Sequence, residues 1–420
     1  MSDIHRTIEA VWRIESTRLI TGIARVIRDV GIAEELAQEA LVAALEQWPE
    51  EGIPDNPAAW LMTAAKRRAI DQLRRGRMLE LKHGEIAREL ELEQRRLGDA
   101  LDQSLDQVID DDVLRLIFIA CHPVLAVEGC IALTLRLICG LTTAEIARAF
   151  LVPEKTLGQR IFRAKRTLAE AHVRFESPRG EELRRRVETV LSVVYLIFNE
   201  GYTATSGGEW MRAALSEEAL RLGRMLAQLL PAEPEIHGLL ALMELQASRA
   251  AARTGPDGAP VLLLEQNRSL WDYAQIQRGM AALERAQGLG GGAGNYAMQA
   301  AIAACHARAR TASETDWERI VLLYDALLQI RPSPIVALNR AVAVGMAYPA
   351  AGLDAVDALA NEPGLANYHL LPTVRGDLLI KLGRFAEARK ELQRALGMTQ
   401  NEAEQILLRK KLQMMDEKGF

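Results

Sequence analysis

Hydrophobic residues recur every three or four positions along most of the chain, a spacing that places them on one face of an α-helix. The pattern is clearest in a segment where Leu157, Ile161, Ala164 and Leu168 form one apolar stripe. Few segments show the alternation of hydrophobic and polar residues that is typical of β-strands. The sequence therefore predicts an all-α protein.

The helix that carries this stripe is preceded by a shorter helix. Thr142 and Glu145 have the spacing of a capping box, which satisfies free amide groups at the start of a helix. Pro153 disfavours helical backbone in the residue before it, and so predicts a break at Leu151 and Val152. Two helices joined by so short a turn are typical of a helix-turn-helix motif.

The face opposite the apolar stripe carries side chains suited to DNA. Guanidinium and ammonium groups bind phosphates, while arginine, glutamine and threonine also bind base edges in the major groove. These residues are Lys155, Thr156, Gln159, Arg160, Arg163, Lys165 and Arg166. Taken alone, the segment also fits a helical hairpin with a solvated basic face, so other parts of the chain have to decide between the two interpretations.

The helix predicted over residues 34–48 has an acidic face. Glu35, Glu39 and Glu46 line up with Val42 on the side away from its buried stripe. An acidic face with an exposed valine favours a basic partner, although a solvated surface with one stray apolar residue explains it too.

A basic helix and an acidic segment come next in the chain. A proline-rich loop at 49–57 leads into a helix over residues 58–76. Residues 66–77 contain six basic side chains against Asp71 alone, a net charge of +5. Residues 80–112 contain eleven acidic and four basic side chains, a net charge of −7, which is typical of a solvated linker.

The composition narrows the class of protein. Of 420 residues, 49% are hydrophobic and 25% charged, with few aromatic residues, as in soluble helical proteins. Charged residues interrupt the apolar runs before they reach the length of a bilayer, and the N-terminus lacks the apolar core of a signal peptide, so we expect a cytoplasmic protein. Because the net charge is −5, nucleic-acid binding has to come from local basic faces.

Residue patterns for catalysis and metal binding are missing from the sequence. The four cysteines include no Cys-x-x-Cys pair, the seven histidines are scattered, and the glycines at 290–292 lack the following residues of a phosphate-binding loop. Cys121 and His122 are adjacent, but buried reduced thiols explain the cysteines better than a metal site does. We therefore expect no enzyme activity, no catalytic residue, no metal and no cofactor.

The order of these parts resembles an extracytoplasmic-function (group IV) sigma factor of bacterial RNA polymerase. Three segments carry the resemblance: residues 33–41 (AEELAQEAL), residues 56–61 and 64–75 (NPAAWL and AAKRRAIDQLRR), and residues 140–171 with the helix-turn-helix. The resemblance implies three parts, namely a region 2 domain at 1–79, an acidic linker at 80–112 and a region 4 domain at 113–174.

The resemblance also implies a partner for each surface. The acidic face would bind the coiled coil of the polymerase β′ subunit through Glu35, Gln38, Glu39, Val42 and Glu46. The loop and basic helix would melt and hold the promoter −10 element, with one base extruded, through Asn56, Lys66, Arg67, Arg68, Arg74 and Arg75. The seven polar residues of the helix-turn-helix would read the −35 element, while the same domain rests on the β flap.

The C-terminal part, residues 178–420, continues as helices separated by proline or glycine. Residues 378–396 resemble a tetratricopeptide repeat (TPR) with its turn at Gly383. Trp317, Tyr348 and Phe385 are 31 and 37 residues apart, which brackets the period of about 34 residues in such repeats. A TPR-like stack forms a groove suited to a peptide, protein or small-molecule ligand. The whole chain resembles the ECF42-type sigma factors, which implies a regulatory C-terminal domain.

Two functions fit this organisation. The first is a sigma factor that binds core RNA polymerase and directs promoter-specific initiation of transcription, with its activity controlled by the C-terminal domain. The second is a ligand-sensing transcription activator with a helix-turn-helix and a TPR-like sensor. An activator of that kind has no use for the acidic face.

Overall fold

The computed structural model describes residues 3–80, 110–150, 152–173, 175–202, 213–255, 260–399 and 402–417. In these residues the chain forms 18 α-helices and no β-strand, which confirms the all-α prediction. The chain divides into two compact units, Met1–Leu196 and Ile197–Phe420. The predicted acidic linker lies almost wholly at residues 81–109, outside the described residues.

The first unit is built from two groups of helices. We define the first module as α1 to α3 and the second module as α4 to α7; α8 follows them. The helices are α1 (Asp3–Ile27), α2 (Val30–Glu51), α3 (Pro57–Glu80), α4 (Asp110–Ala120), α5 (Val127–Leu137), α6 (Thr143–Ala149), α7 (Glu154–Glu170) and α8 (Gly180–Tyr202).

In the first module the three helices pack on one another around a common core. Ile23, Leu36, Trp48 and Leu61 are buried in it, as the helical spacing of apolar residues requires. The side chain of Asp29 begins α2 by accepting a hydrogen bond of 2.9 Å from the amide of Ile32.

The loop before α3 is shorter than predicted. Pro49 lies inside the last turn of α2, and the helix ends only at Glu51, before Gly52 with φ of 90°. The prediction of a loop from Pro49 was therefore wrong, since a proline close to a helix end removes only one hydrogen bond of the final turn. The connection consists of residues 52–56.

The second module contains the predicted helix-turn-helix, α6 and α7. Thr142 and Glu145 form the capping box, with the Thr142 hydroxyl accepting from the Glu145 amide at 3.1 Å and the Glu145 carboxylate accepting from the Thr142 amide at 2.7 Å. The stripe predicted for α7 is buried throughout. Pro153 lies just before α7, where its fixed φ ends the turn.

The second unit contains the C-terminal helices. Their bounds are α9 (Ala213–Leu229), α10 (Pro234–Ala247), α11 (Tyr273–Gly288), α12 (Asn295–Arg308), α13 (Trp317–Ile330), α14 (Pro334–Ala347), α15 (Pro349–Asp357), α16 (Leu370–Lys381), α17 (Phe385–Met398) and α18 (Glu402–Glu417). From α12 onward each helix packs against the next in the chain. Such sequential packing is typical of stacked helical hairpins.

The hairpin of α16 and α17 is turned by Gly383. Its φ of 74° lies in the left-handed region, where a side chain would be strained. Leu378, Leu379 and Leu392 are buried in the core beside this turn. A helical hairpin is thus present where the sequence predicted one repeat.

Candidate nucleic-acid interface

The acidic face predicted on α2 is exposed. Glu35, Glu39 and Glu46 are accessible, and the Val42 side chain between them is 51% exposed. Gln38 is half-buried. An exposed valine among carboxylates offers a partner both apolar contact and negative charge.

One carboxylate of this face also contacts the basic helix. Glu39 Oε2 lies 3.3 Å from Arg68 Nε of α3. The pair is partly solvated, so it orients Arg68 but adds little stability.

A cleft opens where α2, the following loop and the start of α3 meet. Its volume is about 420 Å³, within the range of small-molecule sites. The lining residues are Ala43, Gln47, Pro54, Asn56, Ala59, Trp60, Thr63, Ala64, Arg67 and Arg68. Aromatic, amide, hydroxyl and guanidinium groups therefore share one concave surface.

The aromatic wall of this cleft is held by a second tryptophan. The rings of Trp60 and Trp48 meet edge to face, with centroids 5.4 Å apart and planes at 74°. Because Trp48 is fully buried, the half-buried Trp60 ring has a fixed orientation. A fixed aromatic ring at a cleft is a platform on which a nucleobase stacks.

The structure brings three of the predicted −10 residues together at the cleft, namely Asn56, Arg67 and Arg68. Asn56 Oδ1 also accepts a hydrogen bond of 3.1 Å from the amide of Ala59, so this residue helps to begin α3. Lys66 is half-buried beside them in the chain. The side chains of Arg74 and Arg75 lie outside the described residues.

The polar face of α7 is accessible over most of its length. Lys155, Gln159, Arg163 and Arg166 are exposed, while Thr156 and Arg160 are half-buried. The Phe162 side chain, 66% exposed, lies among them. The face therefore combines cations, hydrogen-bonding groups and one aromatic ring, all of which bind DNA in known complexes.

Lys165 differs from the other residues of that set. Its ammonium group binds Glu34 Oε2 of α2, and only 16% of its side chain is exposed. Sequence reasoning missed Glu34. The helical spacing does indicate that Glu34 is buried, because Glu34 precedes Ala37 by three residues and so lies on the buried stripe of α2. A buried carboxylate needs a partner.

The cysteine and histidine at residues 121 and 122 show no metal-site geometry. Within the described ranges, no group of three metal-binding side chains lies together. The Cys121 Sγ atom is 3.3 Å from the hydroxyl of Thr134, and burial raises the pKa of Cys121 to about 12. The thiol thus stays protonated and packs as a small apolar group.

None of the described helices combines the length and apolarity needed to cross a membrane.

Comparison with known protein families agrees with this geometry. Residues 15–78 match Sigma-70 region 2, residues 130–168 match Sigma-70 region 4, and residues 186–287 match a family of unknown function, DUF6596. The N-terminal half therefore contains both Sigma-70 regions, an organisation that is similar to that of sigma factors.

The relatives cover different shares of the chain. The chain belongs to the same family as "Uncharacterized protein R00370" of Rhizobium meliloti, with 43% identity over 392 residues, 93% of this chain and 91% of that protein. It is 26% identical over 172 residues to "Probable ECF RNA polymerase sigma factor SigI" of Mycobacterium tuberculosis, 40% of this chain and 57% of the relative. It is 44% identical over 62 residues to "ECF RNA polymerase sigma factor SigK" of Mycobacterium ulcerans, 14% of this chain and 32% of the relative. No solved structure matches the chain.

Proposed function

We propose that this protein binds core RNA polymerase in the cytoplasm and directs it to promoters with a defined −35 and −10 element. In this proposal the acidic face of α2 binds the polymerase β′ coiled coil, and the second module also contacts the β flap. The cleft beside Trp60 takes an unstacked base of the −10 element, and the polar face of α7 reads the −35 element.

The observation that carries the proposal is the cleft beside Trp60. A base extruded from a duplex needs a concave site with an aromatic surface and a few hydrogen-bonding groups. Trp60 supplies the surface, and Asn56, Arg67 and Arg68 supply polar groups around it. A transcription activator that only docks in the major groove of intact DNA has no use for such a cleft.

The exposed face of α2 supports the same conclusion. Glu35 and Glu46 are accessible to a basic partner, and Val42 gives that partner an apolar contact. Carboxylates repel DNA phosphates, so this face suits a protein partner better than nucleic acid.

Run-off transcription with purified core polymerase tests the proposal. The template is the DNA upstream of the gene for this protein, and the variant is Glu35→Lys/Val42→Ser. We expect the wild type to produce a defined transcript and the variant to lose both polymerase binding and the transcript. The matched control, Glu217→Lys/Leu322→Ser, changes an exposed carboxylate on α9 and an exposed leucine on α13 and should leave both readouts unchanged.

The results separate the two candidate functions. A wild type that neither binds core polymerase nor starts transcription would refute the sigma-factor proposal. A variant that keeps duplex binding but loses polymerase binding would exclude the activator, because the activator makes no use of α2.

We infer further that the C-terminal unit is a TPR-like regulatory domain of the ECF42 type. The hairpin of α16 and α17 with its glycine turn supports this inference, as does the sequential packing from α12 to α18. Its groove would take a peptide, protein or small-molecule ligand. Transcription by the full chain should then differ at least severalfold from transcription by residues 1–196, and equal activity would contradict a regulatory role.

A further inference from the structure

The second unit contains a group of three arginines, Arg249, Arg253 and Arg268, which we call the arginine cluster. Arg249 and Arg253 flank a short 3₁₀ turn that follows α10, and Arg268 begins another 3₁₀ turn before α11. Arg253 and Arg268 are buried, and Arg249 is half-buried. Guanidinium groups are rarely so buried unless a partner balances their charge.

Two of these arginines hold distant parts of the fold together. Arg253 donates a hydrogen bond to the carbonyl of Tyr202, and its guanidinium carbon lies 3.6 Å from the centroid of the Tyr202 ring. Arg268 donates to the carbonyls of His306 and Ala309 at the end of α12. These carbonyl acceptors carry no formal charge, so they position the guanidinium groups without neutralising them.

Arg249 has an aromatic neighbour instead of an acidic one. Its guanidinium carbon is 6.0 Å from the centroid of the Trp271 ring, and that of Arg268 is 4.7 Å from the same centroid. Over the described ranges of the chain, no salt bridge joins Arg249 or Arg268 to a carboxylate. The two cations therefore share an aromatic ring but lack an anionic partner there.

Carboxylates close to the cluster have other roles. Asp272 begins α11 by accepting a hydrogen bond of 2.9 Å from a backbone amide. Glu314 Oε2 accepts from the amide of Arg310 at 3.0 Å. The charge of Glu314 raises the pKa of Arg268, but burial and the charge of Arg249 outweigh it, so this pKa is still lowered. The folded chain thus compensates the positive charge only in part.

The positive charges of the cluster act on one another. Burial lowers the pKa of Arg253 and of Arg268, and the charge of Arg249 lowers both further. Burial, followed by the charges of Arg249 and Arg268, also lowers the pKa of His306 to about 4, so this histidine is neutral at pH 7. A bound anion would relieve this repulsion.

Two buried ring nitrogens beside the cluster have no hydrogen-bond partner among the described residues. They are Nε1 of Trp271, a residue only 4% exposed, and Nδ1 of His306. The indole N–H is always a donor, and Nδ1 is a donor in one tautomer of neutral histidine. Because buried donors normally find an acceptor, these two nitrogens indicate a ligand that carries acceptor oxygens.

We propose that the arginine cluster, together with Trp271 and His306, binds a phosphate group, either as inorganic phosphate or as the phosphate ester of a small molecule. A phosphate group carries a charge of about −1.5 to −2 at neutral pH and several acceptor oxygens, so it suits a group of cations better than a single carboxylate does. Planar guanidinium groups bind such oxygens with paired N–H donors. Arg249 is the cation that the ligand reaches first, because it is the accessible member of the cluster.

The indole N–H of Trp271 provides a readout within the site itself. The chain has six tryptophans, and in a nitrogen-15 NMR spectrum of the full chain the indole signal that disappears in Trp271→Phe belongs to Trp271. We expect this signal to shift saturably when potassium phosphate or glycerol 3-phosphate is added, and not with potassium chloride at equal ionic strength. Acetate should bind at least about tenfold more weakly than phosphate.

The two phosphate probes distinguish the sources of the ligand. Tighter binding of glycerol 3-phosphate would assign the site to a phosphate ester, and tighter binding of potassium phosphate would assign it to the free ion. A Trp271 signal that responds to neither probe, or that responds equally to chloride, would overturn the proposal.

The variant Arg249→Gln tests the cluster directly. We expect the dissociation constant for the tighter phosphate probe to rise at least about tenfold. In buffer without phosphate, the melting temperature of this variant should be no lower than that of the wild type, because a repulsive charge is removed. Arg285→Gln, at an exposed position of α11, is the matched control and should bind as the wild type does.

A structural role for Arg249 would give a different result. A lower melting temperature of Arg249→Gln with unchanged affinity for phosphate would show that Arg249 only supports the fold, and would overturn the proposal. Equal weakening by Arg285→Gln would show that the effect is not specific to the cluster and would overturn it as well. The inference does not rest on the proposed function, because phosphate binding is measured without polymerase or DNA, so the two can fail separately.

Discussion

Lys165 and Glu34 form an ion pair between the two modules of the first unit, although they are 131 residues apart in the chain. Glu34 also binds Arg136, so one carboxylate pairs with two cations and the cluster keeps a net charge of +1. The three side chains are each less than one fifth exposed. Arg136 and Lys165 therefore both depend on Glu34 for an opposite charge.

Removal of the Glu34 carboxylate should destabilise the first unit. Glu34→Ala leaves Arg136 and Lys165 buried without their partner, and we expect the free energy of unfolding to fall by about 3 kcal/mol. Urea unfolding followed by circular dichroism measures the change. The triple variant Glu34→Leu/Arg136→Met/Lys165→Met should retain most of the stability, because apolar packing replaces the charges; a triple variant as unstable as Glu34→Ala would contradict this explanation.

Residues on the polar face of α7 should affect sequence preference. Arg163 is exposed in the middle of this face, so Arg163→Ala should cost about 1–3 kcal/mol on the matched −35 duplex and much less on a duplex with that base pair changed. Fluorescence anisotropy with a set of −35 duplexes measures the difference.

The control for Arg163 is Arg74, a cation of the basic segment at residues 66–77 that we expect to bind phosphates. Arg74→Ala should weaken binding of promoter DNA to a similar degree across sequences and reduce the salt dependence by about one counterion. If both variants weakened all sequences equally, Arg163 would not read a base.

Trp60 should act through a single unstacked base. Trp60→Ala is expected to weaken binding of a −10 single strand to the polymerase complex by about 1–3 kcal/mol, the usual worth of one base stacked on an aromatic ring. On a strand with an abasic site in place of the extruded base, the variant and the wild type should bind equally. A loss of the same size on both strands would indicate that Trp60 only supports the fold.

Local features of the fold were predictable from the sequence, whereas contacts between distant segments were not. The capping box of Thr142 and Glu145 and the buried stripe from Leu157 to Leu168 depend on residues within one or two turns, and the structure confirms them. The partners of Glu34 lie 102 and 131 residues away, and no periodicity reveals them.

The candidate site likewise has a part that the sequence predicts and a part that it does not. Exposure of Glu35, Glu39 and Val42 follows from their side of the helix, so the sequence indicated the acidic face directly. The cleft beside Trp60 forms only where the end of α2, a loop and the start of α3 meet, and its shape depends on tertiary packing. A basic segment in the sequence could indicate DNA, but it could not show a base-sized recess.

Acid should destabilise the second unit through His306. Burial, together with the guanidinium groups of Arg249 and Arg268, lowers the pKa of this histidine to about 4. An unfolded chain binds the proton below about pH 6.5, whereas the folded chain does so only near pH 4, so the free energy of unfolding falls as the pH drops through this window. We expect a loss of at most about 3 kcal/mol between these pH values.

The variant His306→Gln isolates this contribution. It has no proton to gain, so the difference in stability between wild type and variant should shrink as the pH falls from 6.5 to 4. Thermal unfolding across this pH range checks the slope. Parallel pH profiles for the two proteins would show that His306 is not the group responsible.

Gly158 should be a site where stability can be gained. It lies inside α7, where glycine costs about 1 kcal/mol relative to alanine, and a Cβ atom there would meet no other atom within 4 Å. Gly158→Ala should therefore raise the free energy of unfolding by up to about 1 kcal/mol, measured by urea unfolding. Gly201→Ala provides the contrast, because its Cβ would lie 2.4 Å from the backbone nitrogen of Ser216 and should destabilise the fold. A loss of stability in Gly158→Ala would show that the glycine is required by packing, whereas the expected gain would mean that packing in the first unit does not require it.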